Sequence, residues 1–217
     1  MLPVLLTIGP FTIQSLWLFI SLGLLAGVLI FLRQVKRRRL NAQFLLDINF
    51  GIFVTAIISA RLIFIISHTE LYNVGSWKEN MGLMLSLWDQ GFSFWGGFGV
   101  TLLYLLWVAK KRGEPVKEWL DAMVSGLIIG LLIGKIGQFL GGTGYGNETG
   151  LPWGVTFESA TVKYTVPIHP TQIYAILYLI ATIIGIQKIK KSIKTPGMEA
   201  LVATVILSGC RFFEIAS

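Results

Sequence analysis

The sequence predicts an all-α fold: a polytopic membrane helical bundle of six spans, with the amino terminus outside and a small extracytoplasmic head over residues 141–168. Three observations predict it. The 217 residues are 54% hydrophobic and only 13% charged, with a mean hydropathy of +0.71, whereas a soluble domain carries about a quarter charged residues. Six apolar runs approach the roughly 20 residues needed to cross a bilayer: 11–32, 45–66, 92–109, 119–140, 170–186 and 198–215. Finally, 13 of the 18 basic residues fall in the three loops after the first, third and fifth runs. The positive-inside rule puts those loops in the cytoplasm. The whole of 1–217 reads as a single integral membrane domain.

Each element follows from local signals. The first run is not a cleavable signal, because no basic region precedes it and its 22 residues exceed a signal's apolar core. Gln14 marks its outer start, and Arg33, Lys36, Arg37, Arg38 and Arg39 close it. The second run carries Arg61 near its outer end. The following loop, 67–91, finishes in the apolar stretch 81–88, expected at the membrane interface. Ser93 and Trp95, with Gly96, Gly97 and Gly99, open the third run. Pro115 suits the first turn of the fourth. That run has small residues at spacing four (Ala122, Gly126, Gly130, Gly134), then Gly137 and Gly141, a ladder that lets another helix backbone approach. Its first rungs read as packing, while the glycines around Lys135 leave room for a substrate. Lys135 and Gln138, three apart, point the same way.

The head begins with a glycine-rich stretch that includes Gly146, and alternation predicts a hairpin of 155–157 with 162–166. His169-Pro170-Thr171-Gln172 starts the fifth run, with a cap-like side chain and a glutamine three residues on. Thr195 suits the cap of the sixth run and Pro196 its first turn. Arg211 stands one turn before Glu214, its expected ion-pair partner. Asp47, Glu118 and Asp121 lie near helix starts, where the dipole favours acids.

Several classes of function are excluded. The net charge of +7 is spread over loops and not gathered on a soluble domain, so nucleic acid is not a partner. A single cysteine rules out a disulfide framework and a cysteine-cluster metal site. Leu207-Ser208-Gly209-Cys210 spells a lipobox, but it lies at the end of an apolar helix, where Cys210 reads as a small packing residue. A transporter would carry its polar residues near the midplane. Here Arg61, Lys135 and Arg211 all fall toward one membrane face, with His169, Gln172 and Tyr174 at the same depth. A charge within a span is costly and marks a functional site by default. Three cations at one depth suit an anionic group such as a lipid phosphate.

Six motifs occur in order: Ala60-Arg61-Leu62, Gly91-Phe92-Ser93-Phe94-Trp95-Gly96-Gly97, Gly134-Lys135-Ile136-Gly137-Gln138-Phe139, Leu151-Pro152-Trp153-Gly154-Val155, His169-Pro170-Thr171-Gln172-Ile173-Tyr174 and Arg211-Phe212-Phe213-Glu214. With them the chain resembles bacterial prolipoprotein diacylglyceryl transferases from about Ile13 to Glu214. The resemblance implies a multi-pass enzyme of the bacterial plasma membrane that needs no metal or cofactor. It would move the diacylglyceryl group of phosphatidylglycerol onto the lipobox cysteine of a preprolipoprotein signal peptide, making a thioether and releasing glycerol phosphate. Lys135 would then hold the phosphate with Arg211 and Arg61 in support, and Gln138 and Gln172 would orient the head group. Ser93, Trp95 and Gly146 would line the lipid site, and His169 would be either general base or helix cap.

The chain departs from the family where chemistry is expected. Lys135 and Gln138 stand for arginine and asparagine, and lysine lacks the bidentate fork that grips a phosphate. Thr143 stands for glutamate, and Leu16 for a tyrosine of the first span. Trp95 replaces a histidine, and indole donates a hydrogen bond but cannot act as a base. Ala175 replaces the glutamate after the His-Pro-Thr-Gln run. The family's seventh span has no counterpart, so the chain is expected to end outside the membrane. The alternative expectation is a catalytically inactive lipid- or lipoprotein-binding relative of the same fold.

Overall fold

A computed structural model describes residues 2–9, 11–72, 75–86, 91–156, 166–192 and 195–216; for 8, 11, 190–192 and 211–216 it describes the backbone alone. The elements run β1 (Val4–Ile8), β2 (Phe11–Gln14), α1 (Ser15–Arg37), α2 (Ala42–Ser67), a 3-10 turn (Thr69–Tyr72), α3 (Trp77–Leu85), α4 (Phe94–Lys111), α5 (Val116–Gly141), α6 (Thr171–Ser192) and α7 (Met198–Ala216). The chain falls into two compact units, Met1–Leu40 with Lys117–Ser217, and Asn41–Val116.

The first unit opens with a departure from expectation. Residues 11–14 are not the start of a span but the second strand of an antiparallel hairpin, paired with Val4–Ile8. Gly9, at φ 58°, supplies the left-handed turn, and β-branched Ile8, Thr12 and Ile13 favour the strand. Helix α1 therefore begins at Ser15, whose amide donates to the Pro3 carbonyl (3.0 Å) and whose hydroxyl bonds the Leu2 carbonyl.

Helices α1 and α5 meet through glycine. A Cβ on Gly126 would lie 2.4 Å from the Gly27 carbonyl oxygen, and one on Gly23 would lie 2.7 Å from that of Gly130. The expected ladder thus packs against a matching pair on α1. At Gly137 and Gly141 the neighbours are Phe19 and Leu16. Gly134 is different: a Cβ there would meet nothing within 4 Å. Val124, Ile128, Leu179, Ile186 and Ala203 join α5, α6 and α7 in a buried apolar core.

The start of α7 is capped from another helix. Asp121, 2% exposed, accepts from the amides of Gly197 (2.8 Å) and Ala200 (2.9 Å). Its role is therefore not at the amino terminus of its own helix, as expected, but at that of α7. Thr195 does not supply the cap either: α7 begins only at Met198, whose amide reaches the Thr195 carbonyl at 3.3 Å. Arg38 bridges Asp121 (3.5 Å) and Glu199 (2.6 Å), so the ends of α1, α5 and α7 are tied together.

In the second unit α2 packs along α4. Gly97 admits Ala60, Gly96 admits Ile63, and Gly51 admits the hydroxyl of Tyr104. Asn41 caps α2 through the amides of Gln43 and Phe44, and Arg112 pairs with Asp47 at 2.8 Å. The stretch expected at the interface begins earlier than its apolar residues: α3 starts at Trp77 behind a capping box of Ser76 and Glu79 and buries none of its side chains. Residues 87–88 of that stretch lie outside the described residues, as do 157–165 of the expected hairpin. Beside the latter, Val155 exchanges both backbone hydrogen bonds with Ile168 (3.1 Å each).

Among the described residues, four helices are long and apolar enough to cross a membrane: Ser15–Arg37, Ala42–Ser67, Val116–Gly141 and Thr171–Ile189. Their outward surfaces are apolar. Leu24, Phe50, Phe53 and Leu177 are each more than 60% exposed, a pattern suited to acyl chains and not to water.

Candidate functional site

The polar residues of the first unit collect where α5 ends, the glycine-rich strap 142–146 follows and α6 begins. Lys135 lies half-buried one turn before Gln138 on α5. The helix stops because Gly142 and Gly144 take left-handed conformations, φ 67° and 72°. Between them sits Thr143, whose amide donates to the Gln138 carbonyl (3.0 Å). The strap is fastened to α6: Thr171 donates from its hydroxyl to the Gly144 carbonyl (2.6 Å), and Gln172 from its side-chain amide to the Thr143 carbonyl (2.8 Å). Gly146 donates to the His169 carbonyl, and the His169 amide donates to the Asn147 carbonyl, each at 2.9 Å.

Three oxygens in this corner are buried and have no hydrogen-bond partner among the described residues: Gln138 Oε1, Thr143 Oγ1 and Gln172 Oε1. Gln172 is fully buried. Most buried side-chain polar atoms have a partner, so three such oxygens in one corner mark it as unusual.

His169 is half-buried, and its Nδ1 lies 3.2 Å from the Tyr174 hydroxyl oxygen. That oxygen also accepts from Trp153 Nε1 at 2.8 Å. Indole only donates, so Tyr174 is an acceptor toward Trp153. If the Tyr174 proton points at Nδ1, the neutral imidazole carries its proton on Nε2. If Nδ1–H donates instead, Nε2 is free to act as a base. The ring is directed at Tyr174, whereas a capping side chain would accept from a backbone amide of the next turn. The Trp153–Tyr174–His169 chain was hidden in the sequence, although both partners lie in the motifs quoted above.

In the second unit Arg61 is 5% exposed and its guanidinium is heavily used. Nε donates to the Met84 carbonyl (3.1 Å), Nη1 to Gly91 (2.9 Å), and Nη2 to Leu83 (2.8 Å) and Ser86 (2.7 Å). The rings of Tyr72 and Phe92 lie 5.6 and 5.8 Å away. Four of its five N–H groups thus hold the end of α3 and the approach to α4, with the charge at a helix carboxyl terminus. Ser93 caps α4 by accepting from the Gly96 amide (3.1 Å) and anchors it by donating from its own amide to Ala60 (2.9 Å). Trp95 is 69% exposed and packs edge-on against Phe94. Thr69, Glu70, Tyr72, Trp77, Asn80, Met81 and Met84 line a cavity of about 420 Å³ in this unit. The side chains of Arg211 and Glu214 lie outside the described residues.

Residues 3–214 match the family model of prolipoprotein diacylglyceryl transferase. The chain belongs to this family. Among its curated relatives, the phosphatidylglycerol–prolipoprotein diacylglyceryl transferase of Pseudomonas putida (strain KT2440) is 30% identical over 174 residues, which are 79% of this chain and 63% of that protein. The enzyme of the same name from Tropheryma whipplei is 27% identical over 226 residues, covering 96% of this chain and 81% of its own. That from Prochlorococcus marinus subsp. pastoris is 26% identical over 227 residues, covering 96% and 76%. The matched region thus spans somewhat under two thirds of the length of the Pseudomonas relatives. Family membership and the apolar helices together make this a multi-pass membrane protein.

Proposed function

We propose that the chain transfers the diacylglyceryl group of phosphatidylglycerol to the lipobox cysteine of a preprolipoprotein, at the extracytoplasmic leaflet of the bacterial plasma membrane. The observation that carries this reading is the grouping of Lys135, Gln138, His169 and Gln172 around one strap of the first unit, in a chain of this family. The cysteine sulfur attacks the glycerol carbon that bears the phosphate ester. A carbon–sulfur bond forms as the carbon–oxygen bond breaks, and glycerol phosphate leaves with the electron pair. Lys135 stabilises the charge on that leaving group, with Arg211 in support. The thiol proton goes to His169 Nε2 in the tautomer whose Nδ1–H donates to Tyr174. Arg61 and Ser93 support the reaction indirectly, by holding the segments of their own unit.

The test is transfer of labelled diacylglycerol from phosphatidylglycerol to a lipobox peptide by the purified protein. Thioether product is expected, and its absence with lipid binding retained would favour a second reading, a non-catalytic lipid- or lipoprotein-binding relative. Two observations support that alternative. Ala175, where the family has glutamate, is fully buried, and Trp95 puts an indole where the family has histidine.

A further inference from the structure

We infer that the free edge of β2, in the amino-terminal hairpin, is where the acceptor peptide docks: the segment around its lipobox cysteine pairs with Phe11–Gln14 as a third strand. This rests on the transferase reading for the identity of the partner, but its evidence is separate. Among the described residues the sheet has two strands only, so each leaves an edge unpaired. Ile8 and Phe11 close the turn, and by the alternation of an antiparallel ladder the backbone groups of Thr7 and Thr12 then point away from the hairpin. Sheet edges are ordinarily blunted by charges or covered by another element. Neither strand carries a charged residue, the first in the chain being Arg33. Val4, Leu5, Leu6 and Ile13 are exposed, so the hairpin is apolar as well as unpaired. Two strands alone are marginal, and unpaired backbone groups are costly in a lipid setting.

The edge of β2 leads to the candidate site. The strand runs straight into α1, where a Cβ on Gly141 would lie 3.3 Å from Leu16 Cβ and 3.8 Å from the Leu16 amide nitrogen. Gly142, the next residue, opens the strap, and the hairpin, Lys135 and His169 all belong to the first unit. A strand laid on β2 therefore runs beside the end of α5. Strand addition takes its affinity from main-chain hydrogen bonds and its specificity from alternate side chains. The lipobox has its leucine three residues before its cysteine, as Leu207 stands before Cys210. In a strand that odd spacing puts the two on opposite faces, the leucine against the apolar side chains of the hairpin and the cysteine toward the strap. In a helix the same spacing would put both on one face.

The experiment measures binding of a fluorescent lipobox peptide to the full chain in lipid nanodiscs, with serine in place of the peptide's cysteine so that nothing is transferred. A series of such peptides carries one backbone N-methyl group each, moved residue by residue across the lipobox. A paired strand turns every second N–H toward its neighbour. Methylation at alternate residues should therefore weaken binding about tenfold, and at the residues between them by about twofold or less. Loss at every position, or at none, would overturn the inference. In the protein, Thr12→Pro deletes an outward N–H of β2 and should weaken the unmodified peptide about tenfold, whereas Thr7→Pro, on the opposite edge, should change it by about twofold or less. Equal loss in the two folded variants would mean that hairpin stability is being read, and the inference falls. Should either variant fail to fold, the N-methyl series, which needs no altered protein, decides alone. A dimer in native mass spectrometry that Thr12→Pro dissociates, with peptide binding unchanged, assigns the edge to a second copy of the chain and also overturns it. Alternating loss in a protein that transfers no labelled diacylglycerol to the cysteine peptide leaves the docking edge standing and sinks the transferase reading; transfer without alternation does the reverse.

Discussion

At the level of single residues, Lys135 and Arg61 show how alike two membrane cations look in sequence and how differently they are used. Both were visible because a charge in an apolar run is costly. Arg61 proves to be held by four backbone carbonyls 22 to 30 residues further along the chain. Carbonyls belong to every residue, so no sequence pattern marks them as partners. Arg61→Ala should lower stability by about 1–3 kcal/mol, since it removes four hydrogen bonds from a buried guanidinium. Arg61→Lys should recover little of it, lacking the planar fork. Thermal unfolding of the two variants checks this, and a change confined to lipid affinity would refute it. For Lys135 the expectation is the reverse. Lys135→Ala should abolish transfer and weaken anionic-lipid binding with unfolding little altered, while Lys135→Arg should keep transfer; both are read by the labelled-lipid assay. His169 adds a third case. Tyr174→Phe leaves Nδ1 without its partner and should cut kcat roughly tenfold with KM nearly unchanged if the imidazole is the base. Equal loss in both parameters would mean that Tyr174 serves lipid binding instead.

Among the elements, helix identity was legible almost throughout and strand identity was not. Runs of about 20 apolar residues can satisfy their backbone in lipid only as helices, so the cores of all six expected runs are helical. The hairpin at 4–14 was missed because its residues are as apolar as the span they precede, and hydropathy does not separate the two. The glycine ladder of α5 was legible from its spacing, but its partners, Gly23 and Gly27 on α1, were not. Packing opposite Gly126 leaves no room for a methyl group, so Gly126→Ala should destabilise by about 1–3 kcal/mol through overpacking. Gly134→Ala faces open space and should stabilise by up to about 1 kcal/mol from helix propensity alone. Unfolding midpoints in one detergent decide it. Equal effects at the two positions would mean that the α1–α5 approach is not as close as 2.4 Å implies.

Across the whole molecule, what the sequence offered was direction, carried by charge. The loops rich in lysine and arginine follow α1, α4 and α6, and the structure adds a physical tie within the first unit. Arg38 at the end of α1 reaches Asp121 and Glu199 near the starts of α5 and α7, so those three ends share one side of that unit. The strap with Thr143 and the start of α6 lie at the other end of α5, a helix of 26 residues or about 39 Å, enough to cross the hydrocarbon. Orientation therefore decides which leaflet supplies the substrate. In a Cys210→Ser background, which removes the only native thiol, single cysteines replace Arg39 beside the basic loop and Asn147 beside the strap. An impermeant maleimide applied to intact cells should label the Asn147→Cys protein at once and the Arg39→Cys protein only after permeabilisation, the outcome that the positive-inside rule predicts for the basic loops. The opposite pattern would put Lys135 beneath the inner leaflet, where an exported lipobox cysteine never passes, and the transferase reading would fail with it.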